Sequence, residues 1–301
     1  MPNQQQRGVG GVITVLIVVL VAGGVWAARG RIRSYWQERS RPIVPAAQPF
    51  VPLAVTSSSS AAVTGVVSST QPLLSQASSS TVVTPPLPDR IDPFFVTGPL
   101  PTEVNLAVPF LAQAPKQNWS MPYQEACEEA SMLMVNAYYE GKTKPFTPEE
   151  GDRAILDLVA FEEARGKTPD LTAAEVSEIM TAKWDYKEIK IESPASESLM
   201  KRALANGYPI ILPADGKALG NPNFRNGGPP YHMLVIKGYV DGKYWITNDP
   251  GTRLGADFTY PMDRLVNVAH DWNGGNVPEG RSVFIVAIPQ VQQESIFSCM
   301  T

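Results

Sequence analysis

Three side chains of this sequence have the types and the order needed for nucleophilic acyl chemistry: Cys127, His232 and Asp249. Cys127 lies in Pro122-Tyr-Gln-Glu-Ala-Cys-Glu-Glu-Ala-Ser131, where a polar stretch turns into a predicted helix. An ionised thiol attacks carbonyl carbon, an imidazole carries the proton, and a carboxylate orients the imidazole. A helix start favours the thiolate, because unpaired backbone N–H groups there stabilise negative charge. Glu128 and Glu129 also suit a helix start, but oppose the thiolate if they turn inward. The plain alternative for Cys127 is a small buried core residue. The other cysteine, Cys299, lies in a C-terminal tail with no base nearby in sequence.

His232 opens an apolar run, Tyr231-His-Met-Leu-Val-Ile-Lys-Gly-Tyr-Val240, and Asp241-Gly242 reads as a two-residue hairpin turn. With that turn Val240 faces Lys243 and Asp249 faces Leu234. Leu234 and His232 share a face, so Asp249 becomes a diagonal neighbour of His232, about 7–8 Å away at the backbone. Asn248 would point to the opposite face, and a bulge would reverse that choice. The competing pair His270 and Asp271 are adjacent in sequence and point apart on a strand. An oxyanion needs aimed donors. The backbone N–H of Cys127 is one, and Gln113, Gln117 and Gln124 qualify by type for the second.

The elements that must position these groups follow from caps and periodicity. A first helix is predicted from Cys127 to about Tyr139, stopped by Gly141. Thr147-Pro-Glu-Glu150 is a capping box with Pro at the first helical position, predicting a helix over about 148–165. Thr172-Ala-Ala-Glu175 opens another to about Lys183, and a fourth spans about 195–206. Short strands are expected at 104–113, 209–213 and 283–288, with the hairpin strands at 232–240 and 243–248 and a short helix over 261–268. Residues 214–230, rich in Gly, Pro and Asn, read as an irregular loop. Helices first and an antiparallel sheet second make an α+β domain.

Net charge is −4, unevenly spread. Residues 1–100 carry seven Arg against three acids, whereas 101–301 carry 18 basic and 26 acidic side chains. An acidic globular part argues against nucleic acid as partner. Two cysteines and two histidines form neither a disulfide framework nor an all-Cys/His zinc site, so no metal or cofactor is expected. After a tail at 1–7, residues 8–28 hold 21 uncharged positions around the apolar run Val12–Ala22, enough for a single membrane-spanning helix. Five Arg between 29 and 41 favour a cytoplasmic domain by the positive-inside rule. The Pro-, Ser- and Thr-rich residues of 29–100 instead read as a disordered linker of the kind that holds a domain off an outer surface. The expectation is a single-pass protein with an extracytoplasmic domain at 101–290 and a C-terminal tail at 291–301.

Val108-Pro-Phe-Leu-Ala-Gln-Ala-Pro115, Trp119 and the Cys127 block resemble the stand-alone relatives of the bacteriocin-leader-processing cysteine peptidases. Gly207–Leu212, Tyr231–Tyr239 and Ile246–Gly251 look like that family's His and Asp blocks. The resemblance covers about residues 104–288. It implies a papain-like fold, a Cys127/His232/Asp249 triad and an upstream Gln as oxyanion donor, which maps to Gln113 within the Val-Pro…Gln block. Two features depart from the family pattern: Ala126 stands where members often carry Gly, and the Gln113–Cys127 spacing is long. The function implied is a membrane-anchored peptidase or amidase acting on a peptide or a peptidoglycan-like cross-link. A binding module on the same fold, or an acyl transferase with the same triad, are the alternatives.

Overall fold

A computed structural model describes residues 42–50, 92–94, 96, 98–184 and 186–290. The predicted tail 1–7, anchor 8–28 and C-terminal tail 291–301, with most of the predicted linker, lie outside the described residues. Among the described residues no helix is long and apolar enough to cross a membrane. The chain divides into two units, 1–44 and 45–301, and the second carries all the elements below.

The helices begin where their caps dictate. Helix α1 runs Cys127–Tyr139, and Gly141, at φ +78°, follows its end. Helix α2, Pro148–Glu163, has the full reciprocal box, with Thr147 Oγ1 accepting from the Glu150 N–H and Glu150 returning a carboxylate to the Thr147 N–H. Thr172 and Glu175 do the same for α3, Ala173–Trp184. Helices α4, Glu197–Ala205, and α5, Met262–Val268, complete the set.

Seven strands form one sheet: β1 Glu103–Asn105, β2 Glu188–Glu192, β3 Ile210–Asp215, β4 Tyr231–Val240, β5 Tyr244–Asn248, β6 Phe258–Pro261 and β7 Phe284–Ile288. Their order is β2-β7-β3-β4-β5-β6, every pairing is antiparallel, and β1 adds to the far half of β4. The architecture is therefore α+β. β2 and β6 were not expected from the sequence. Helix α1 packs on β4, and the core there includes Met132, Met134, Leu234 and Ile236, all fully buried. Each such side chain contributes about 1.5–3 kcal/mol by leaving water.

The expected hairpin register is altered twice. The turn holds three residues, Asp241–Lys243, so Val240 pairs with Tyr244 instead of Lys243. A bulge at Lys237 then moves the pairing back by one, and Val235 pairs with Asn248 as a two-residue turn without a bulge would have it. The two shifts cancel before the chain reaches Asp249.

The linker expected over 29–100 also needs correction where it is described. Gln48 makes a parallel bridge to Leu106, with its N–H 2.7 Å from the Asn105 carbonyl. Phe50 stands edge-on to Tyr138 and Tyr139, and Phe94 to Phe284. These aromatic side chains gain burial on the domain that a free tether would forgo.

Candidate active site

Strand β4 carries the imidazole, and the chain leaving β5 carries the carboxylate. His232, 1% exposed, donates from Nε2 to Asp249 Oδ1 at 2.9 Å. The same oxygen accepts the Gly251 N–H at 3.0 Å. Asp249 Oδ2 accepts from Asn221 Nδ2 at 2.8 Å and from the Tyr260 hydroxyl at 2.6 Å. Four donors thus surround one fully buried carboxylate. Burial alone would raise its pKa, but the His232 charge and the His232, Tyr260 and Asn221 hydrogen bonds hold it below the usual carboxylate value. Phe224 stands edge-on to the imidazole at 5.2 Å between centroids. A Cβ on residue 251 would come within 2.7 Å of Phe224 Cε1 and 2.9 Å of His232 Cε1, so only glycine lets the loop pass this close to the ring. With Nε2 engaged, Nδ1 is the nitrogen left for chemistry.

Asn248 points away from the pair and donates to the Val108 carbonyl at 2.9 Å. His270 bonds the Gly280 carbonyl through Nδ1, and Asp271 accepts the backbone N–H groups of Ala173 and Trp272. That competing pair is spent on structure.

Cys127 is the first residue of α1, packed against β4, and the Met233 backbone N–H, next in sequence to His232, acts to lower its thiol pKa. Its surroundings overturn the expected low thiol pKa. Both following glutamates turn inward: Glu128 is fully buried and Glu129 is 3% exposed. Cys127 Sγ donates to Glu128 Oε2 at 2.9 Å, and Glu128 Oε1 accepts the Leu171 N–H at 3.2 Å. Burial pushes the thiol well up, Glu128 and Glu129 push it further, and the Met233 N–H only partly offsets them. The local charges therefore outweigh the helix start.

Burial raises Glu128 to about 8. Glu129 and Glu162 of α2 act on each other, and burial with their mutual repulsion pushes Glu129 well up while burial takes Glu162 to about 7. Among the described residues Glu129 Oε2 and Glu162 Oε1 have no hydrogen-bond partner.

Gln113 Nε2 donates to the Tyr123 and Gln124 carbonyls at 3.0 and 2.9 Å. Both amide hydrogens thus brace the turn that delivers Cys127, while its buried Oε1 has no partner among the described residues. Its backbone N–H bonds the Pro250 carbonyl, tying this segment to the Asp249 loop. Gln124 bonds Glu125 at the surface, and Gln117 is exposed at φ +62°. Sequence reasoning missed Asn221, Tyr260 and Gly251. Asn221 was hidden in an irregular loop, and Tyr260 on an unforeseen strand.

The model of the Peptidase_C39 like family matches residues 105–275, more than half of the chain, and that span contains Gln113, Cys127, His232 and Asp249. The chain belongs to the C39-like peptidase family. A solved C39-like peptidase from Bacillus anthracis is similar at 15% identity and a TM-score of 0.42, with 63% of this chain and 99% of that one covered. Digestive procathepsin L 3 from the Tenebrio molitor larval midgut aligns at 10% identity and a TM-score of 0.39, covering 64% of this chain and 71% of that one. The stem bromelain precursor aligns at 12% and 0.32, with the same shares covered. None of the curated proteins compared with this C39-like chain matches it.

Proposed function

We propose that this C39-like domain is a papain-like cysteine peptidase that cleaves peptide or isopeptide bonds through an acyl-enzyme on Cys127. The thiol proton passes to His232 Nδ1, and the thiolate attacks the carbonyl carbon. The C–N bond breaks as the imidazolium protonates the leaving amine. His232 then takes a proton from water, whose oxygen displaces the thioester, returning the acid product and the thiolate. Asp249 keeps the ring oriented and stabilises the imidazolium. The Cys127 N–H serves the oxyanion, and Gln113 joins it by exchanging one of its two carbonyl bonds. The observation that carries this reading is the fully satisfied His232–Asp249 pair, which engages Nε2 and leaves Nδ1 for chemistry on the strand against which the Cys127 helix packs. The apolar segment 8–28 would hold the enzyme at a membrane, with residues 101–290 as the extracytoplasmic catalytic domain.

A second reading has its own support. A thiol raised by burial and by neighbouring acids suits a binding module that has kept the fold and lost turnover. One experiment separates them. Washed membranes bearing the full chain are incubated with a proteome-derived peptide mixture, and new peptide termini are identified by mass spectrometry. The expectation is a set of new termini, retained through the wash and absent with Cys127→Ala. Identical peptide profiles for both proteins would leave the binding module.

A further inference from the structure

The buried carboxyl touching the sulfur has no part in the mechanism above. Glu128 joins two things: its Oε2 lies 2.9 Å from Cys127 Sγ, and its Oε1 holds the Leu171 N–H, whose carbonyl accepts the Tyr231 hydroxyl from β4 at 2.9 Å. It is fully buried, so its orientation is fixed by packing and two hydrogen bonds. We propose that Glu128 is a positioning residue for the nucleophile: its protonated carboxyl donates a hydrogen bond to the ionised sulfur, and loss of that proton returns the sulfur to the thiol. The inference rests on Cys127 being the nucleophile.

The contact works in two senses. With the thiol protonated, S–H donates to Oε2 of the neutral carboxyl, as in the resting geometry. Once the thiol proton has gone to His232, a carboxyl that keeps its own proton becomes the donor and the thiolate the acceptor. No proton is gained or lost by Glu128 in that step. Two adjacent buried anions are the costly arrangement, because in a low-dielectric interior neither is solvated. Deprotonating Glu128 therefore drives the proton held by the His232 imidazolium back onto sulfur, while the Glu128 proton leaves to solvent.

Burial is what favours a neutral Glu128; the hydrogen bonds it makes, including the one with Cys127, work the other way. From its own helix Cys127 and Glu129 face it. From the loop before α3 come Asp170, whose charge raises it, and the Leu171 N–H, which lowers it. From β4 comes Tyr231, itself raised by burial and then by Glu128 and Asp271. From α2, Glu162 acts through Glu129, and Lys183 of α3 acts on Glu162 at the far end. Burial dominates and takes Glu128 to about 8, so it is protonated at neutral pH and ionises just above.

The test is the rate of Cys127 alkylation by iodoacetamide from pH 5 to 10 in the full chain, for wild type, Glu128→Gln and His232→Ala. The wild type is expected to react on a plateau near neutrality and to slow on the order of tenfold per pH unit above about 8. Glu128→Gln keeps a donor of the same shape but cannot ionise, so its rate stays level there. If Glu128→Gln keeps the alkaline fall, the proposal is overturned while the His232-dependent plateau preserves the nucleophile. If all three proteins follow one rising free-thiol curve, the nucleophile fails as well. Carboxyl carbon NMR of the labelled wild type gives a result even if Glu128→Gln does not fold. Glu128 should titrate near pH 8 and shift on Cys127 alkylation, and titration in the ordinary glutamate range would overturn the assignment.

Discussion

The two halves of the candidate site treat buried charge in opposite ways. Around Asp249 each carboxylate oxygen receives two hydrogen bonds, and the group is held ionised although it is fully buried. Around Cys127 three glutamates crowd with few donors, two oxygens have no partner among the described residues, and the carboxyls are pushed toward neutrality. The first half is a fixed electrostatic frame, with the imidazole locked by its bond and by Phe224. The second changes charge near neutral pH. A buried acid's influence on a reactive neighbour depends on the donors it finds, not on its being buried.

The sharpest way to break the contrast is to remove the centre of the satisfied half. Asp249→Ala deletes four hydrogen bonds and leaves the Asn221 amide and Tyr260 hydroxyl to find new partners in a buried pocket. The neutral imidazole then loses the group that fixes its tautomer. The neutral-pH reactivity of Cys127 is expected to fall on the order of a thousandfold, with a lower melting temperature. Alkylation kinetics and a thermal melt check both, and unchanged kinetics would make Asp249 a purely structural acid.

Much of that frame was legible in the sequence, because local chemistry fixes it. Thr147, Pro148 and Glu150 specify a helix start without tertiary help, and α2 begins there. Strand alternation places His232 and Asp249 on one face, yet the path between them holds a longer turn and a bulge that cancel. That bulge lies where β1, from over a hundred residues upstream, meets β4 at Gly238, a contact no local pattern announces. The acid half misled for a related reason. Glu128 and Glu129 suit the exposed start of a helix by local rules, and only the packing of α1 against β4 and α2 turns them inward. Strand β2, Glu188-Ile-Lys-Ile-Glu192, alternates but is only five residues long, and β6, Phe258-Thr-Tyr-Pro261, is four residues ending in proline, so both depend on their pairing partners.

The contrast is sharpened next by the Glu129–Glu162 pair, which should make stability depend on pH. The folded state raises both groups above their unfolded values, so it binds more protons than the unfolded chain. The stabilisation is present below the ordinary glutamate range and is lost as pH rises through about 7, where Glu162 titrates. For Glu162 alone the loss is on the order of 3 kcal/mol. Glu162→Gln should flatten the curve, with urea unfolding at pH 9 showing a more stable variant than wild type and little difference at pH 5. A variant less stable at both pH values would mean that the pair is ionised and compensated.

The smallest expected effect returns to the satisfied half. Tyr260→Phe removes one donor from Asp249 Oδ2 and leaves Asn221 on the same oxygen. A hydrogen bond to a charged group is worth about 1.5–3 kcal/mol, and the remaining donors retain part of that. The lowered pKa of Asp249 should move back up, since the Tyr260 bond is one of its causes. A depressed carboxylate stabilises the fold above its unfolded pKa, and that contribution is lost as pH falls through the folded value. The variant should therefore be less stable than wild type at neutral pH, with the gap closing in acid. The Glu162→Gln gap is expected at the opposite, alkaline end. Urea midpoints measured from pH 3 to 9 place both variants on one axis, and a Tyr260→Phe gap that widens toward acid would show that Asp249 is not the charged centre of its frame.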